Sequence, residues 1–248
     1  MSSLFTYTLR IADSSLILAQ RLAEWCAKGP TLEEDIALSN ISLDMFGQAN
    51  GFYEYAAQLE DSKSADDLAF LRNEREFFNH QMVEIENGHF GKTIVRNFLH
   101  DAFNFLFYTK LSESKDETLA ALAAKSLKEV KYHLRHSTNW LIRLGDGTEE
   151  SNEKVQESLE EIWQFTAELF EMDEIDTELL NAGIAVDNKA LKLEWDEIVN
   201  STLKKAKLNR PESGYMATGG KKGIHTEYLG LLLAEMQFLQ RAYPDAKW

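Results

Sequence analysis

Helix breakers are scarce in this chain, and that scarcity limits its fold more than any other feature. Its 248 residues include 3 prolines and 13 glycines, and no proline stands between Pro30 and Pro211. Proline removes a backbone donor and clashes with the preceding turn, while glycine costs about 1 kcal/mol relative to alanine in a helix. Few points therefore exist where a helix must stop. Hairpin signals are also rare. The expectation is an all-α chain, long enough to bury a large core.

The stop and start signals divide it into long segments. A first helix is expected over about 3–28, closed by Gly29-Pro30. A second starts at Thr31, where Thr31-Leu-Glu-Glu34 fits a capping box, and runs to about Glu60. A third is expected over about 65–83, before the Asn87-Gly88 turn. A fourth, over about 92–113, is rich in aromatics: Phe98, Phe103, Phe105, Phe107 and Tyr108. The fifth covers about 117–144, the sixth 149–172, the seventh 189–205 and the last 227–242, with loops around Gly183 and over 208–223. Long helices on short connections point to an elongated bundle. The bundle core is placed at about 31–144, within one domain over 1–248, with accessory helices over 3–28 and 149–243.

Composition excludes some partners. A net charge of −15 makes nucleic acid and anionic membrane surfaces poor partners. No run of about 18 uncharged apolar residues offers a membrane span. The first residues lack a basic region followed by an apolar core, so no secretory signal is read and a cytoplasmic location is expected. The lone cysteine, Cys26, rules out an intrachain disulfide and is expected to be a small buried apolar residue.

Four acids then stand out: Asp44, Glu74, Asp101 and Glu129, one on each of four successive expected helices. Carboxylate-bridged di-iron bundles use this layout, with two helices giving a lone carboxylate and two giving Glu-x-x-His. Here Phe77 and Tyr132 fill the histidine positions. The one Glu-x-x-His in the chain, Glu86 with His89, straddles the Asn87-Gly88 turn, where the helical relation fails. His133 and His136 make a weak two-ligand signal. On the second helix Ile36, Asn40, Asp44, Gly47 and Gly51 share a face, and the glycines suggest close helix approach. Acids buried together without a metal repel. Lys125, four residues before Glu129, is a candidate to offset that charge; the alternative is an ordinary surface pair in the less favourable order.

Several local strings are more specific than this spacing. They are Asn40-Ile-Ser-Leu-Asp44-Met-Phe-Gly-Gln48-Ala, Lys128-Glu129-Val-Lys-Tyr132-His133-Leu-Arg, Phe165-Thr-Ala-Glu-Leu-Phe170, and the most distinctive, Thr218-Gly-Gly-Lys-Lys-Gly-Ile-His-Thr-Glu227. Together they resemble the C-subunit family of the bacterial ring 1,2-phenylacetyl-CoA epoxidases, from Tyr7-Thr-Leu-Arg10 to Trp248. The resemblance implies a ferritin-like fold in a multicomponent monooxygenase. A di-iron catalytic subunit would pair with this chain, and a reductase carrying flavin and an iron–sulfur cluster would deliver electrons from NADPH. The complex would epoxidise the ring of phenylacetyl-CoA in aerobic phenylacetate breakdown. This chain would be its metal-free structural subunit, with no cofactor and no catalytic residue of its own.

The segment 204–222 carries six cations, Lys204, Lys205, Lys207, Arg210, Lys221 and Lys222, against one acid, Glu212. Such contrast in an acidic chain can focus an anion. Glycines before a helix N-terminus let backbone N–H groups approach a phosphate. Lys221 and Lys222, with Arg210, are therefore candidates to touch the CoA part of the substrate; the alternative is salt bridges to an acidic partner. The string is not a P-loop, because the Gly-x-x-x-x-Gly-Lys-Ser/Thr pattern is absent. Two other readings stand beside the structural subunit: a stand-alone metalloenzyme using Asp44, Glu74, Asp101, Glu129 and His133, and a metal-free scaffold homo-oligomer.

Overall fold

The computed structural model describes residues 2–60, 63–212, 214–244 and 246. Its helices are α1 (Ser3–Ala23), α2 (Leu32–Leu59), α3 (Ala65–Phe70), α4 (Phe90–Leu111), α5 (Glu117–Gly145), α6 (Glu149–Trp163), α7 (Glu174–Asn181), α8 (Asn188–Lys205), α9 (Glu227–Met236) and α10 (Phe238–Ala242). Short 3-10 turns cover Glu74–Glu76, Gln81–Glu84, Ala167–Phe170 and Gly220–Lys222. Among the described residues there is no strand, and the fold is all-α.

The chain forms two compact units: residues 1–86 with 219–248, and residues 87–218. In the first, α1 packs along α2. Ser2 caps α1 by accepting from the Phe5 N–H, and Thr31 caps α2 by accepting from the Glu34 N–H. The helix expected to be accessory is the buried one: on α1, residues from Phe5 to Leu22 are almost all inaccessible, Arg10, Asp13 and Arg21 included. It also ends early, at Ala23, and the chain turns through Ala27 at φ +64° before Gly29. That turn leaves Cys26 exposed, not buried as expected.

The third helix departs most from expectation. Only Ala65–Phe70 is helical; Glu74–Glu76 is a 3-10 turn and Phe77 is extended. Residues distant in sequence stop it. Gln237 Nε2 donates to the carbonyls of Ala69 (3.2 Å) and Arg72 (3.0 Å), and Arg241 donates to those of Phe70 (3.3 Å) and Arg72 (2.8 Å). Carbonyls satisfied in this way have no need of a further helical turn. The same C-terminal segment breaks at Gln237, giving α9 and α10 where one helix is expected.

In the second unit α4 packs against α5, α6 and α8. Its aromatic run is largely buried and continues into neighbouring rings. Phe103 lies edge-on to Phe170, Phe170 edge-on to Trp195, and Trp163 5.8 Å from Trp195. The Trp195 indole N–H is satisfied by the Leu99 carbonyl at 3.0 Å. The sixth helix stops at Trp163, nine residues short of expectation, with a 3-10 turn at Ala167–Phe170. The stretch read as loop around Asn181 carries a short helix, α7, capped reciprocally by Asp173 and Asp176.

Candidate functional site

The four acids of the expected frame divide between the units. In the first, Asp44 is half-buried on α2, and the face it shares with Ile36, Asn40 and Gly47 is turned outward rather than packed. Glu74 is exposed on its 3-10 turn. Its carboxylate lies against Gly230 on α9 and lines an open cavity of about 490 Å³ with Phe238 and Arg241. Phe77 is fully buried and extended, its N–H closing the 3-10 turn on the Glu74 carbonyl, so no α-helical turn relates the two.

In the second unit Asp101 is buried on α4. Ser137 on α5 donates to its Oδ2 at 2.8 Å. Burial pushes the Asp101 carboxyl up to about 6, opposed by His133, Ser137, His136 and Arg96. The inward residues of α5 run Leu119, Ala123, Ser126, Val130, His133, Ser137 and Leu141. That three-four spacing turns His133 inward, leaves Glu129 half-buried and Tyr132 40% exposed, and puts Lys125 at the surface. Lys125 therefore supplies no buried counter-charge.

The buried charge that spacing arguments missed is on α1. Asp13 is fully buried and ion-paired with Arg72, whose Nη1 lies 3.1 Å from Asp13 Oδ2 while Nη2 meets Oδ1. The Tyr53 hydroxyl donates to Asp13 at 2.6 Å and the Phe78 N–H at 2.8 Å. The guanidinium lies over the Phe77 ring, 4.1 Å from its centroid. Burial alone would lower the Arg72 pKa, but Asp13 and Tyr53 more than offset that and raise it; burial and Asp13 likewise raise the Tyr53 phenol well above its ordinary value. A buried cation does balance a buried acid here, through Arg72 and Asp13.

A second buried pair holds the glycine-lysine string. Glu84 Oε1 meets His225 Nδ1 at 2.6 Å and accepts from Asn79 at 2.8 Å. Its Oε2 accepts from the Thr226 N–H (2.7 Å) and hydroxyl (2.6 Å). His225 Nε2 lies 2.9 Å from the Phe77 carbonyl. With Glu84 ionised both ring nitrogens face acceptors, an arrangement that the doubly protonated imidazolium satisfies. Burial pulls the His225 pKa down, yet Glu84 and the Phe77 carbonyl outweigh it and the net direction is up.

This anchoring alters the expected phosphate cradle. Gly219 (φ +116°) and Gly223 (φ +72°) are needed for their left-handed backbone. The N–H groups of Lys222, Gly223 and Ile224 bond back to the carbonyls of Gly219 or Gly220 at 2.8–3.1 Å, so those amides are already paired. A carboxylate of the chain itself, Glu84, takes up the cap residue of α9. Of the six cations, Arg210 pairs with Asp196 at 2.7 Å over the Trp163 ring, and Lys207 pairs with Asp146. Lys221 and Lys222 belong to the first unit and Arg210 to the second.

Long helices paired side by side, acid-bearing and strand-free among the described residues, place this protein in the all-α class, consistent with a ferritin-like helical bundle. The phenylacetic acid catabolic protein family matches residues 1–248, and the chain belongs to that family. It is 50% identical, over 100% of both chains, to the C subunit of the 1,2-phenylacetyl-CoA epoxidase of Escherichia coli (strain K12). Phe77 and Tyr132 offer no imidazole, and the acids paired with them are exposed or half-buried. No described helix is long and apolar enough to cross a membrane.

Proposed function

We propose that this chain is the structural, non-catalytic subunit of a phenylacetyl-CoA epoxidase, a cytoplasmic complex that epoxidises the aromatic ring in phenylacetate degradation. The observation that carries the reading is the end-to-end identity of 50% with the C subunit of such an epoxidase. The side-chain chemistry supports it. The buried acid of the first unit, Asp13, is neutralised by Arg72, a cation of the chain itself, and the guanidinium lies over the Phe77 ring. In this reading a related di-iron subunit performs the oxygen chemistry, and a reductase with flavin and an iron–sulfur cluster feeds it from NADPH. This chain contributes a folded surface against which the catalytic subunit is held.

The test is reconstitution. After anaerobic loading with Fe(II), the purified chain is expected to bind no stoichiometric iron, and the catalytic subunit is expected to lose turnover when this chain is left out. Two irons per chain would instead make it a metalloenzyme in its own right, with Asp44, Glu74, Asp101, Glu129 and His133 as the ligand set to be tested.

Lys221 and Lys222 keep a role in this reading through their side chains, since the amides of Lys222, Gly223 and Ile224 are already paired. They face an acidic partner or the CoA phosphates. Charge reversal at both separates the two: loss of the heteromer identifies the partner, and loss of CoA affinity with an intact heteromer identifies the substrate.

A further inference from the structure

The solvent-facing side of α5 carries cations and no acid. Lys125, Lys128, Lys131, Arg135 and Arg143 are all exposed, with Tyr132 among them. The other exposed positions from 121 to 143 are alanine or asparagine, and Glu129, the one acid in that stretch, is half-buried at the flank. The chain as a whole has 41 acids and 26 bases. The next helix shows that balance, since α6 exposes six glutamates and one lysine. Charge is thus sorted by face, and the cations of α5 extend over about 27 Å at the rise of a helix.

The fold gains nothing from this face. Lys125 and Lys128, Lys128 and Lys131, and Lys131 and Arg135 stand three or four positions apart, where like charges repel and weaken a helix. Among the described residues none of the five is ion-paired with an acid. Two are held in place by rings. The Arg135 guanidinium lies 5.5 Å from the centre of the Tyr132 ring, and that of Arg143 lies 5.4 Å from that of Trp140. A guanidinium already fixed on a ring loses less freedom when it meets a carboxylate.

We propose that this face docks an acidic surface of the reductase, an inference that rests on reading the chain as an epoxidase subunit. Charge complementarity sets the class of occupant, because five unpaired cations in a row attract carboxylates and repel a basic surface. The composition sets the kind of contact. Charged side chains are depleted from the core of a lasting interface, whereas redox partners meet through small, weak contacts steered by charge. In that complex the reductase delivers electrons and has no need to stay bound.

The test is the affinity of purified reductase for the assembled complex of this chain with the catalytic subunit, measured by surface plasmon resonance at low and high salt. The probe is Lys128→Glu with Arg135→Glu. Both positions are exposed and each change replaces like-charge neighbours by opposite ones, so the melting temperature should not fall. Wild-type affinity should weaken as salt rises. The probe should raise Kd at low salt at least about tenfold and flatten the salt dependence. A complex whose turnover needs this chain, but whose reductase affinity ignores the probe or ignores salt, refutes the docking alone. Loss of the catalytic subunit on the same substitutions assigns the face to that subunit and also overturns the proposal. Turnover that survives omission of this chain refutes the subunit reading together with the docking.

Discussion

Arg72 and Asp13 meet two oxygens to two nitrogens in the interior of the first unit, with Tyr53 and the Phe78 amide completing the carboxylate's hydrogen bonds. A buried ion pair stabilises little relative to a well-packed apolar replacement, because desolvation of both charges opposes the Coulomb attraction. Removing one partner is a different matter, since it strands the other charge.

Arg72→Met should therefore cost about 3–5 kcal/mol in urea unfolding, and Asp13→Leu a similar amount. The double variant should lose much less than the sum of the two. A double-mutant cycle that came out additive would show that the pair is not coupled.

His225 should make stability depend on pH. Its folded pKa is raised by Glu84 and the Phe77 carbonyl, so its contribution is complete below the ordinary histidine value and is lost as pH rises through the folded value. His225→Gln should be more destabilising at pH 6 than at pH 9, by chemical denaturation at both. An equal penalty at the two values would mean that the imidazole is neutral in its site.

Asp101 titrates in the opposite sense to most carboxylates. With its folded pKa raised to about 6 from 3.8, the native state holds the proton longer than the unfolded chain does, and stability falls as pH climbs from about 4 to 6. Carbon-detected NMR of the carboxyl should show a midpoint near 6. His133→Leu should move it higher, because His133 opposes the effect of burial.

Gly223→Ala should destabilise by about 1–3 kcal/mol, because a side chain is strained at φ +72° and its Cβ would collide with the Arg75 carbonyl. Gly214→Ala is the matched control. A Cβ there meets nothing within 4 Å, and its melting temperature should stay unchanged or rise slightly.

Local signals carry part of this picture. The starts of α2 and α9 and the bounds of α4, α5 and α8 within two residues all follow from spacing and propensity, which act over one or two turns. The departures share a cause. The helix over 65–83 is stopped by Gln237 and Arg241, more than 160 positions away. The glycine-bearing face of α2 is turned outward, because the apolar residues that pack inward, Leu38, Ile41, Met45 and Phe52, form the competing stripe. On α5, Glu129 lies one step off the inward register that carries Val130 and His133.

The sequence by itself determined the helical class, through its lack of breakers, and the family, through strings such as Thr218–Glu227. Tertiary structure alone decided which charges are buried together. Asp13 and Arg72 lie 59 residues apart, and Glu84 and His225 lie 141 apart. Periodicity encodes which residues share a turn of helix, while the partner across a core is chosen by how whole elements pack, and a lone aspartate on α1 carries no local mark of the arginine that will meet it.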